Sequence, residues 1–271
     1  LADATPVQAV RPLAGSNPFS ARAVETARMT AAAADAALGR ITGSDELEAL
    51  ADCDLVIEAV FEDFELKATI FRQLSAIVAP DALVATNTSC LRVSDLAAHV
   101  GNPARFLGLH YFSPAQINPL VEVVKGQATD PAAYEAALAF VKATGKLPLA
   151  CRDSFGFAVN RFFCPYTNEA SRLVSEGLAT TAQVDRVAKS ALGVAAGPFF
   201  VQNIIKPRIN LHAVRNLAPL GPFYTPAAPL LVEHGEADKA FAIDADAAGV
   251  AGNDDLARDR LRAAPFLPIL Q

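Results

Sequence analysis

The chain has 271 residues, 52% of them hydrophobic and 19% charged, with a formal net charge of −6 at pH 7. Against about 45–50% apolar and about 25% charged residues in an average soluble domain, this composition leans apolar and excludes extended disorder. An acidic balance with no basic cluster excludes a nucleic-acid reader, and no run of about 18 apolar residues offers a membrane span.

The length allows one large domain or two modest ones. The chain starts at Leu1 rather than Met, as a processed chain or a piece of a longer one would. Leu1–Leu13 carries Asp3, Pro6, Arg11 and Pro12 and so lacks the apolar centre of a signal peptide. Cys53, Cys90, Cys151 and Cys164 are far apart, form no C-x-x-C and sit among apolar or small neighbours. They read as buried thiols in a reducing, cytoplasmic compartment. His99, His110, His212 and His234 are too dispersed for a helix-borne metal pair, so no metal is expected.

In chain order, the proline-bearing stretch Leu1–Ser20 reads as irregular, and Ala-rich Ala21–Leu38 as a helix ending near Gly39. Leu55–Val60 is apolar and β-branched, as suits a strand covered on both faces. Leu66, Ile70, Leu74 and Ile77 recur at helical spacing up to Pro80. Ala82–Ala85 is the second strand, closed by Thr86-Asn-Thr-Ser89, and Ser94 is placed to cap a short helix. Arg105–His110, Leu120–Val124 and Leu147–Cys151 are the next strands, with a helix from Asp130-Pro131 to Thr144 stopped by Gly145. This alternation predicts an α/β, doubly wound, mostly parallel sheet over residues 1–152. An all-helical region over 153–271 follows. Phe157–Ser175 is a long helix, Thr180-x-x-Gln183 a capping box for the next, and Phe199–Leu217 a third with Pro207 inside it. Ala237–Gln271 is acidic, Ala-rich and then Pro-broken, and suggests no role.

His110 stands at the carboxyl end of a predicted strand, where doubly wound sheets bind ligands. Glu122 falls on the next strand, and a carboxylate beside an imidazole fixes its tautomer and favours its charged form. Spacing alone also permits a ring satisfied by a backbone carbonyl and an unrelated surface carboxylate. Thr86–Ser89 offers hydroxyl and amide groups at the same edge, as would an ordinary helix-entry turn. Asn160-Arg161 lies early in the first helix of the second region. Glu62 and Lys67, taken alone, read as a helix-start carboxylate and a solvated lysine.

Five segments occur together in one order: Asp54–Val60, Asn87-Thr-Ser89, His110-Tyr-Phe-Ser-Pro114 with Leu120–Val124, Gly156-Phe-Ala-Val-Asn-Arg161, and Gly197-Pro-Phe199. In order and spacing this set resembles the 3-hydroxyacyl-CoA dehydrogenase family from about Met29 to Leu217. The resemblance implies NAD as cofactor and an acyl-CoA thioester as substrate, with (S)-3-hydroxyacyl-CoA and 3-ketoacyl-CoA interconverted in fatty-acid β-oxidation. It implies that His110 takes the 3-hydroxyl proton, that Glu122 orients it, and that Ser89 and Asn160 hold the substrate. Glu62, Lys67 and Asn87 match positions lining the NAD site. Ser113 stands beside them where many members have Asn, a form similar to that of multifunctional fatty-acid oxidation proteins. The second region resembles the family's helical dimerisation and substrate domain, which implies a homodimer.

The family opens with a strand, a G-x-G-x-x-G turn and a helix, and no G-x-G occurs in this sequence. Losing even two charge-assisted bonds to a pyrophosphate weakens binding by about 10²–10⁵-fold, so weak NAD binding and slow turnover are expected. The alternative is a catalytically impaired remnant that binds acyl-CoA or dimerises; NAD titration separates the two. A related β-hydroxyacid dehydrogenase with a lysine base fits less well, because the His110/Glu122 frame is intact.

Overall fold

The computed structural model describes residues 24, 29–40, 42–113, 115, 118–226 and 229–243. The irregular opening Leu1–Ser20, the start of the Ala21–Leu38 helix, Pro114 and most of the 237–271 tail lie outside them. The chain divides between Asp153 and Ser154 into two units.

In the first unit, α1 (Ala31–Leu38) begins at Thr30, whose extended backbone and side-chain bond to Ala33 N–H make it an N-cap. A helix running unbroken from Ala21 is therefore corrected: Thr30 interrupts it. β1 (Leu55–Glu58) ends two residues before the predicted Val60, because the Glu58 carboxylate itself takes the Val60 N–H at 2.7 Å. α2 (Phe64–Leu74) starts at the Asp63 cap and stops six residues short of Pro80. It buries Ala68, Ile70, Phe71 and Leu74, and also Lys67.

β2 (Leu83–Thr86) is followed by α3 (Val93–Ala97). Ser94 does not cap α3. Asp153 instead accepts from Val93 N–H at 2.9 Å and Ser94 N–H at 2.8 Å. A distant carboxylate thus satisfies two amides that the local sequence leaves open. β3 (Phe106–Tyr111), β4 (Leu120–Lys125), α4 (Pro131–Ala143) and β5 (Leu147–Arg152) complete the unit. Asp130 caps α4 ahead of Pro131, and Gly145 takes φ 73° just past its end.

The five strands lie in chain order, parallel throughout except that β3 and β4 are antiparallel. Helices α2 and α4 join parallel neighbours, the connection that such pairs require. One face carries Leu83, Ala85, Leu107, Leu109, Val121 and Val123 against Ala133, Ala137 and Val141 of α4. On the other face Phe71 of α2 meets Phe106 edge-on at 4.9 Å between centroids. There Gly108 lets α3 approach, since a Cβ on it would stand 3.0 Å from Val93. With helices on both faces, the sheet is a mostly parallel, Rossmann-like layer.

Among the described residues of the second unit the α-helices are α5 (Val159–Ser175), α6 (Thr181–Leu192), α7 (Pro198–Ile205), α8 (Pro207–Leu217) and α9 (Pro229–Glu236). α5 starts at Val159, not Phe157, because Gly156 and Phe157 are both left-handed, at φ 68° and 46°. The Thr180/Gln183 capping box forms in both directions. The single helix expected over Phe199–Leu217 is two. Pro207 cannot donate to the carbonyl one turn back, and Lys206 absorbs the break at φ 80°. Gly197 precedes α7 because a Cβ there would lie 2.5 Å from Asp185 Cα.

Candidate active site

Strands β1, β2 and β3 run parallel, so their carboxyl ends share one edge, and β4 returns antiparallel to it. His110 lies near that end of β3, directly across from Glu122 on β4. The His110 Nδ1 to Glu122 Oε2 distance is 2.7 Å, with Glu122 0% and His110 4% exposed. With Glu122 ionised the carboxylate only accepts, so Nδ1 is the donor of this bond and the ring's basic lone pair falls on Nε2. Phe112 packs on the imidazole, with ring centroids 4.4 Å apart. The other Glu122 oxygen, Oε1, receives the Cys151 thiol at 3.6 Å.

A second polar group sits where β1 and β2 end. Lys67 Nζ donates to Glu58 Oε1 at 2.7 Å and to the Val60 carbonyl at 3.2 Å, and lies 3.5 Å from Glu62 Oε2. Thr86 Oγ1 donates to Glu58 Oε2 at 2.7 Å. Lys67 is thus buried and ion-paired, which corrects its reading as a solvated lysine. Glu62 Oε1 accepts from the Thr88 hydroxyl, from Ser89 N–H and from Cys90 N–H. It therefore fastens the turn that carries Ser89 instead of serving as a helix-start carboxylate. Asn87 Oδ1 accepts Tyr111 N–H at 2.8 Å, which ties this turn to the residue after His110.

The structure brings together His110 with Glu122, Glu62 with Lys67 and Ser89, and Asn87 with the end of β3. Ser113 lies exposed on the β3–β4 connection, and Asn160 half-buried in the first turn of α5 in the second unit. The roles of Glu58 and Cys151 were not foreseen from sequence, whereas Thr86 and Thr88 belong to the turn Thr86–Ser89 already singled out for its hydroxyls. Glu58 carried a signal: it is the lone carboxylate in the apolar run Leu55–Val60. Among the described residues no cluster of three or more His, Cys, Asp or Glu side chains could hold a metal ion. No helix among them is long and apolar enough to cross a membrane.

Residues 1–154 match the family described as 3-hydroxyacyl-CoA dehydrogenase, NAD binding domain, and residues 156–241 match 3-hydroxyacyl-CoA dehydrogenase, C-terminal domain. The chain is similar to 3-hydroxybutyryl-CoA dehydrogenase of Bradyrhizobium diazoefficiens, 36% identical over 80% of this chain and 74% of that protein. It is similar also to a Mycobacterium tuberculosis protein of the same name, 39% identical over 68% of this chain and 65% of that protein. The chain therefore spans only about two-thirds to three-quarters of the length of these relatives. Among solved structures it resembles (S)-3-hydroxybutyryl-CoA dehydrogenase PaaH1 of Ralstonia eutropha. The TM-score is 0.75 at 34% identity, covering 81% of this chain and 78% of that one.

Proposed function

The chain belongs to the 3-hydroxyacyl-CoA dehydrogenase family, and from that premise we propose that it interconverts (S)-3-hydroxyacyl-CoA and 3-ketoacyl-CoA with NAD, as in fatty-acid β-oxidation. The observation that carries this reading is the buried His110–Glu122 pair at the carboxyl edge of the sheet, 2.7 Å apart. Nε2 of His110 accepts the proton of the substrate's 3-hydroxyl group as the carbonyl forms. Glu122 stabilises the resulting imidazolium and holds the ring in the tautomer that leaves Nε2 basic. In the reverse direction the same proton returns to the 3-keto oxygen. Ser89, on the turn fastened by Glu62, and Asn160 are assigned to the substrate's hydroxyl and thioester end.

The residues present fit the nicotinamide side of NAD, since the ends of β1, β2 and β3 gather Glu62, Lys67, Asn87 and His110 at the edge where such sheets bind ligands. Glu62, Lys67, Asn87 and Ser113 would hold it. Bound NAD supplies the hydride acceptor. No residue is assigned to the pyrophosphate, because the sequence has no G-x-G turn.

A homodimer through the helical unit is part of the same proposal. Phe162 and Phe223 are 67% and 71% exposed there, and Phe200, Ile204 and Ile209 are exposed too. Light scattering at micromolar concentration tests it, and a monodisperse monomer overturns it. A cytoplasmic location is proposed from four cysteines that form no disulfide.

The activity is tested by following NADH absorbance with (S)-3-hydroxybutyryl-CoA and NAD. Turnover that His110→Ala lowers by about 10²–10⁴-fold is the expected result. A folded chain with no turnover on any 3-hydroxyacyl-CoA overturns the reading.

A further inference from the structure

The sheet gives the two oxygens of Glu122 different neighbours. Oε2 meets Nδ1 of His110 at 2.7 Å, and Oε1 receives the Cys151 thiol at 3.6 Å. Strand register produces this row. Glu122 lies opposite His110 on β3 and opposite Leu149 on β5. Cys151, two residues beyond Leu149, falls on the same face of the sheet. It is 8% exposed and Glu122 is 0% exposed, so protein donors in place of bulk water set the plane of the carboxylate.

We propose that Cys151 is a positioning residue for the His110–Glu122 pair: its thiol holds Oε1 and thereby keeps Oε2 aimed at the imidazole. The kinetic consequence rests on the dehydrogenase reading; the effect on the His110 ring rests on geometry alone. A thiol is a weak donor, and its effect is that of one modest hydrogen bond. Ionisable side chains on the elements packed against the row include His110 on β3, Tyr134 on α4 and Asp153 just past β5. The Tyr134 hydroxyl donates to the Val123 carbonyl at 3.0 Å, and Asp153 accepts from the Val93 and Ser94 amides.

Cys151→Val and Cys151→Ala remove the donor, and Cys151→Ser keeps one. Two measurements on the full chain separate positioning from packing. One is kcat and KM for NADH-dependent reduction of acetoacetyl-CoA. The other is the titration of the His110 ring by NMR, its resonances identified by their loss in His110→Gln. The Val and Ala variants should lower kcat about 3–10-fold with KM unchanged. They should also move the ring titration downward, because a carboxylate no longer held in plane at Oε1 stabilises the imidazolium less. An upward shift would show that the thiol only draws charge from the carboxylate, and overturns the proposal. The Ser variant should match the parent in both. A ring titration unmoved by Val and Ala, or moved equally by Ser, overturns the proposal. A chain without turnover whose ring shifts as stated supports the proposal while removing the dehydrogenase reading.

Discussion

Lys67 Nζ sits 2.7 Å from Glu58 Oε1, with both side chains 1% exposed. The pair joins α2 to the end of β1, and Thr86 Oγ1 extends it to β2. Removing one member of such a pair leaves a buried charge without its partner, at a cost of about 3–5 kcal/mol. Lys67→Met should therefore lower the unfolding free energy by roughly that amount. The double variant Glu58→Gln/Lys67→Met should lose clearly less than the sum of the two single losses. Urea denaturation of the four proteins measures the coupling, and strictly additive losses would show that the pair is not coupled.

For the catalytic pair, His110→Ala should reduce kcat by about 10²–10⁴-fold, the usual contribution of a positioned acid–base group. Glu122→Gln should also lower kcat and shift the acid limb of the pH–rate profile downward, since the imidazolium loses its anionic neighbour. Both are read from initial rates of NADH formation. An undiminished kcat in His110→Ala removes His110 from the chemistry.

Lys206 joins α7 to α8 at φ 80° and ψ 127°, a conformation that side chains other than glycine adopt at a cost of about 1–3 kcal/mol. Glycine relieves that strain but adds unfolded-state freedom of about 0.4–1 kcal/mol. Lys206→Gly should therefore stabilise the chain by about 1 kcal/mol, seen as a higher thermal midpoint. A midpoint that falls would mean that contacts of the lysine side chain outweigh the backbone strain.

Much of the first unit was legible because its signals are local. The strand runs Leu55–Glu58 and Leu120–Lys125 are β-branched, and Asp130-Pro131 and Gly145 mark both ends of α4. The errors fall where a distant group decides the outcome. Asp153, about sixty residues away, caps α3 where Ser94 was expected to. Lys67 looks like a surface residue until Glu58 is placed under it. Cys151 gave no sign of its neighbour, because only strand register sets it beside Glu122. The Lys206 break was half-legible: Pro207 announces it, but a proline fits equally well inside a kinked helix.

Asp185 carries a pH prediction. Its carboxyl receives the first amides of α7, Oδ1 from Phe199 N–H at 2.8 Å and Oδ2 from Phe200 N–H at 2.9 Å. Burial pushes its pKa up, and the two amides and Lys189 only partly oppose that. The native state therefore binds the proton more tightly than the unfolded chain, whose aspartates titrate near about 3.9. Between that value and the raised native one, the folded state holds more protons than the unfolded. The contribution of Asp185 to stability is thus complete below the window and falls as pH rises through it. Asp185→Asn has no such titration. The stability difference between the parent and Asp185→Asn should therefore move in favour of the parent as pH is lowered through the window. Urea denaturation at a series of pH values measures it. A difference that stays flat, or moves toward the variant on acidification, would show that the two amides and Lys189 outweigh burial at this carboxyl.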